Sequence, residues 1–208
     1  KALPKILAMG GKILGERYQH SGKSGECGHG IAIFGGKNIE ISSVITSSNW
    51  GDGIYLGTQP VQQADGSQRY IGCDTITIRD CEIYDNRRSN ISITDVDNLT
   101  IDHCYIADAH GTAPQCGIDI EPNSNSSGDK ICRNIVLMNT TIDAYQKKDD
   151  PEYMCFMTNY NPYDSSYVTA DGIWFKNCRI NGYFGNYSGN NLNIDSKTVI
   201  NGTFVNLR

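Results

Sequence analysis

Asp119 and Glu121 stand two residues apart in "CGIDIEPN", alternating with Ile118 and Ile120. Such alternation reads as a strand with one face buried, the isoleucines pointing inward and the carboxyls outward. Side chains on one face of a strand repeat at about 6.5–7 Å. That is near the roughly 6.5–9.5 Å between the acid and base of an inverting glycoside hydrolase. Other reactive groups lie in similar surroundings: His29 in "CGHGIAIFG", Asp52 and Tyr55 in "NWGDGIYLG", Arg87 and Arg88 in "NRRSNISIT". Asp52, Asp119, Glu121, His29 and Arg88 are the candidate catalytic residues; Trp50, Tyr55 and Arg87 are the candidate substrate-binding residues. The carboxyls suit hydrolysis. Lyase or epimerase chemistry on a uronate would instead have Arg87 or Arg88 neutralise the sugar carboxylate while His29 or Tyr55 moves a proton. Trp50 and Tyr55 offer rings for stacking on sugar faces. No cofactor is implied; if a metal takes part, Asp119, Glu121 and Asn123 offer the oxygen donors that calcium prefers. His20, His103 and His110 read as surface or turn residues.

These residues are far apart in the chain, so an element with a long-range repeat must bring them together. Three series of short apolar-alternating segments recur. The first is "GIAIFG" from Gly30, "GIYLG" from Gly53, "NISIT" from Asn90, "GIDIE" from Gly117 and "YMCFM" from Tyr153. The second is "NIEIS" from Asn38, "TITIR" from Thr75, "NLTID" from Asn98, "NIVLM" from Asn134 and "GIWFK" from Gly172. The third begins at Val44, Glu82, Tyr105, Thr141 and Arg179. Successive copies lie 23 to 38 residues apart. Three short strands per turn, with insertions confined to the connections, predict an all-β parallel β-helix of about five to six coils in a single domain over residues 1–208.

In that winding Ala32, Tyr55, Ser92 and Asp119 form one outward row, and Phe34, Gly57, Thr94 and Glu121 the next. His29, Asp52, Ser89 and Cys116 share a corner. The candidate residues then form a patch about 15 Å long at the usual spacing between strands, a length suited to an extended polymer. Cys81, Cys104 and Cys178 fall at one position of the repeat with Val44 and Thr140, an internal ladder in which free cysteine acts as a small hydrophobe. Cys27, Cys73, Cys116 and Cys132 leave disulfides open, while the lack of a CxxC pair argues against structural zinc.

A net charge of −5 and a pI near 5.3 argue against a nucleic-acid partner. No apolar stretch approaches the roughly 20 residues of a membrane span. No signal peptide is visible, and the chain opens in mid-pattern, which points to a fragment or a processed form.

The coil pattern, with "ILGERYQHSGKSGECGHGIAI", "NWGDGIYLG" and "GIDIEPN", resembles the right-handed parallel β-helix (pectate-lyase-like) superfamily, and within it bacterial or phage carbohydrate-associated members. Handedness follows from that resemblance and from the right-handed rule for parallel crossovers. The resemblance implies a polysaccharide or oligosaccharide partner, a secreted or phage-borne location, and glycosidic cleavage or uronate epimerisation. The rival it implies is a non-catalytic, tailspike-like or adhesive rod that binds glycans.

Overall fold

The computed structural model describes residues 6–122, 128, 130–159 and 168–208, with side chains from residue 9 onward. The chain winds as a right-handed parallel β-helix whose three sheets each hold seven strands among the described residues. That exceeds the five to six coils read from the sequence, because strands such as Lys12–Leu14 and Tyr183–Asn186 lie where the repeat spacing is too irregular to align. Sheet 1 begins at Ile6–Met9, sheet 2 at Lys12–Leu14 and sheet 3 at Ile31–Phe34. The three segment series map onto these sheets, the first onto sheet 3, the second onto sheet 1 and the third onto sheet 2.

Register follows the apolar pattern. In sheet 3, Ile31 pairs with Ile54, Ile54 with Ile91 and Ile91 with Ile118, all in parallel. The outward row Ala32, Tyr55, Ser92 and Asp119 is therefore continuous. The next copy slips by two residues: Phe156, not Met154, pairs with Ile118, and a separate irregularity between Met154 and Phe156 lies in the pairing with the following strand, Tyr183–Asn186. Inward residues fill the axis with stacked Ile and Leu, giving way to Phe156, Phe175 and Phe184 near the end. Phe156 and Phe184 stack at 4.8 Å, with Phe175 edge-on to each at 5.1 Å.

The corners explain the abundant asparagine. Six of the seven passages from sheet 1 to sheet 2 take two residues, such as Ser43–Val44, Asp80–Cys81, His103–Cys104, Asn139–Thr140 and Asn177–Cys178. The first residue of each of these pairs has φ between 49° and 55°. Asn, Asp and glycine tolerate this left-handed region best. The second residue of each is buried, which forms the expected Val44, Cys81, Cys104, Thr140 and Cys178 ladder. A second left-handed series lies within sheet 1 at Asn38, Thr75, Asn98, Asn134, Gly172 and Asn191. Its side chains reach back one coil: Asn98 donates to Asp74 at 3.4 Å, Asn134 to Asp97 at 2.9 Å and Asn191 to Asp171 at 2.7 Å.

All eight cysteines are free thiols and only Cys27 is exposed, so none of the disulfides left open by the sequence is formed. The connections that flank sheet 3 vary most. They run from one residue, between Asn181 and Tyr183, to sixteen, between Leu14 and Ile31. One of them holds the antiparallel hairpin Gln59–Gln62 with Gln68–Ile71. No helix among the described residues is long and apolar enough to cross a membrane.

Candidate functional site

On the outer face of sheet 3, Ser92 and Thr94 are short side chains between Tyr55 on one coil and Asp119 on the next. The dip they leave becomes a cavity of about 90 Å³, lined by Glu26, Asp52, Tyr55, Arg88, Ser92, Asp119 and Glu121 among others. Five of the eight candidate residues therefore converge on one cavity: Asp52, Tyr55, Arg88, Asp119 and Glu121.

Asp119 points to the outer face, as its alternation predicts, but it is not exposed. It is 2% accessible, and its Oδ1 has no hydrogen-bond partner. Burial pushes its carboxyl well above the usual range, and Glu121 and Asp52 add like-charge repulsion against the opposing pull of Arg88. Burial also raises Glu121, with Arg88 again opposing. Asp119 and Glu121 line the same cavity, and each bears on the other's ionisation. Neighbouring buried carboxyls favour the protonated form and titrate as a coupled pair. Glu121 Oε1 also accepts from the Asn159 side-chain amide at 2.9 Å.

Asp52 occupies the corner before its strand, buried at 2%. Its Oδ1 accepts the Ser89 N–H at 2.9 Å and lies 3.6 Å from Arg88 Nε, while Oδ2 lies 3.2 Å from His29 Nδ1. The Asp52 N–H donates to that same His29 nitrogen at 3.0 Å. His29 does not line the cavity; it fixes Asp52 and stacks on Tyr55 at 4.8 Å. Tyr55 is also tilted against Phe34 at 5.6 Å, with its hydroxyl 3.3 Å from Thr94 Oγ1. Arg88 Nη1 reaches Glu26 at 3.2 Å.

Trp50 and Arg87 fall outside the cavity. Arg87 is buried, donates to the Trp50 carbonyl at 2.6 Å and to the Gly25 carbonyl, and lays its guanidinium over the indole at 3.9 Å. His20 stacks on the same indole at 3.9 Å. This stack pins the long connection of residues 15–30 against the coils, and the structure gives both residues a bracing place rather than an open one. Glu26 escaped the sequence reading because it lies in that connection, where the copies do not align. His103 is a left-handed corner residue paired with Asp102 at 2.8 Å, and His110 stacks on Tyr145 at 4.0 Å.

Among the described residues no group of three or more His, Cys, Asp or Glu side chains could hold a metal ion. Asn123, the third donor of the calcium reading, lies outside the described residues.

No protein-family model matches the chain. The uncharacterized protein YclG of Bacillus subtilis (strain 168) is 42% identical over 125 residues, covering 56% of this chain and 21% of that protein. The chain thus spans about a fifth of the length of this curated relative. Among solved structures, the tailspike protein gp49 of Acinetobacter baumannii bacteriophage Fri1, a capsular polysaccharide depolymerase, has a TM-score of 0.61 at 21% identity, covering 92% of this chain and 31% of that one. The A-module of the Azotobacter vinelandii mannuronan C-5 epimerase AlgE6 has a TM-score of 0.57 at 14% identity, covering 85% and 49%. At these identities the likeness shows the fold, the parallel β-helix.

Proposed function

We propose that the cavity on sheet 3 cleaves a glycosidic bond of a polysaccharide, within a larger extracellular or phage-borne protein. The observation that carries this reading is the convergence of Asp52, Asp119 and Glu121 on one cavity, with Asp52 and Asp119 each 2% accessible. Glycoside hydrolysis needs one carboxyl that is protonated at working pH and one that is not. Burial and repulsion raise both Asp119 and Glu121, which favours their acid form and suits one of them to give a proton to the leaving oxygen. Asp52, held by the Ser89 N–H, His29 and Arg88, is placed to act as the carboxylate that activates water or attacks the sugar. The half-buried Tyr55 forms one wall of the cavity and offers a ring edge to the polymer. The tailspike depolymerase, which shares the fold, is named for action on a capsular polysaccharide, and this supports the choice of polymer class.

The test is incubation with a panel of neutral, amino and acidic polysaccharides, reading reducing ends, unsaturated uronates and uronate stereochemistry. New reducing ends without unsaturation are expected, and Asp119→Asn should abolish them with the fold intact. Unsaturated ends would indicate elimination, and altered stereochemistry in intact chains epimerisation. If no polymer is changed, the cavity is the glycan-holding face of a rod.

A further inference from the structure

The cavity is unbalanced in charge. Glu26, Asp52, Asp119 and Glu121 line it against one guanidinium, Arg88. Arg88 lies 3.2 Å from Glu26 and 3.6 Å from Asp52, and its Nε makes no hydrogen bond. Four carboxyl groups thus face a single guanidinium. Independently, Asp119 Oδ1 lies in the wall, 2% accessible and without a hydrogen-bond partner. A buried polar atom left in this state costs free energy that a ligand group could recover.

Resting on the reading of this cavity as a glycan site, we propose that it selects sugar units without an acidic group, and favours an amino sugar over a uronate. A uronate carboxylate entering here would meet a lining of four carboxyls, and the one cation in it lies 3.2 Å from Glu26 and 3.6 Å from Asp52. Repulsion between groups a few ångströms apart is strong where water is excluded. An ammonium reverses the sign of every one of these interactions and brings three donors to a wall rich in acceptors. A neutral hydroxyl-bearing sugar stands between the two. The selectivity is therefore set by Glu26 and the carboxyl pair, and less by the shape of the groove.

The test uses oligosaccharides of equal length: glucosamine oligomers with free amines, their N-acetylated forms, and oligomannuronate. Each is titrated into the protein near neutral pH and low salt, reading affinity and NMR shifts of cavity residues. The amine series should bind at least about tenfold tighter than the uronate, a gap of roughly 1.4 kcal/mol. Added salt should narrow the gap, and Glu26→Gln should narrow it further by removing a negative charge and freeing Arg88. Oligomannuronate binding as tightly as the amine series would overturn the selectivity while leaving the cavity a sugar site. No shift at cavity residues with any of the three would overturn both.

Discussion

At the scale of single residues, Asp119 shows stability given up for a chemical feature. Its folded-state pKa is raised, so ionisation costs the folded chain more than the unfolded one. The cost is absent below about pH 4, where an unfolded aspartate is itself protonated. It grows as pH rises toward the folded pKa. Asp119→Asn keeps the shape without the charge, so it should raise the melting temperature near pH 7 by at least about 2–4 °C, the shift that ~1 kcal/mol gives in a domain of this size. The gain should vanish near pH 3.5, and thermal melts at the two pH values check the sign. An Asp119 that served only as a solvated strand residue would show no gain at either pH. The alternation "GIDIE" disclosed which side of the strand Asp119 occupies, but not its burial or the charged neighbours around it. Those neighbours include Arg88 and Asp52, 31 and 67 residues away in the chain. Trp50 shows the opposite limit. An exposed-looking aromatic beside a corner suggested a sugar platform, yet its ring is stacked by His20 and Arg87 from segments the repeat does not align.

At the scale of the elements, the left-handed residues determine how each coil turns. Asn134, at φ 55° in sheet 1, donates to Asp97 of the preceding coil. Asn134→Gly keeps that conformation and loses one surface hydrogen bond, so it should cost no more than about 1 kcal/mol. Asn134→Val forces a β-branched residue into the same region and should cost about 1–2 kcal/mol more. Denaturant unfolding of the two variants measures the gap; equal costs would mean that the hydrogen bond, not the backbone, is what the position demands. The sheets were legible in the sequence from their apolar alternation, whereas the left-handed places at Asn38, Asn98 and Asn134 were not, because each looks like the ordinary start of an alternating segment. The bulge between Met154 and Phe156 was not, because "YMCFM" has no polar residue to mark which side faces out.

At the scale of the whole molecule, each coil buries its inward residues only against its neighbours, so the stability lost at a position depends on its place along the axis. Leu137 is fully buried in a central coil, while Ile13 is partly buried in the first. Leu137→Ala should cost about 2–5 kcal/mol and Ile13→Ala distinctly less, as equilibrium unfolding would report; equal losses would show the first coil to be as tightly enclosed as the centre. The same geometry divides labour between the faces. The two-residue corners joining sheets 1 and 2 carry the left-handed residue and the buried ladder, and an inserted residue there would throw every later coil out of step. The connections on either side of sheet 3 have no such constraint, and they already range from one residue to sixteen. Glu26 arrives at the cavity on the longest of them. Evolution can therefore retune what this surface recognises by exchanging whole loops, as an antibody exchanges its binding loops on a fixed frame. An engineer has the same freedom: new segments can be spliced beside sheet 3, and the winding will carry them.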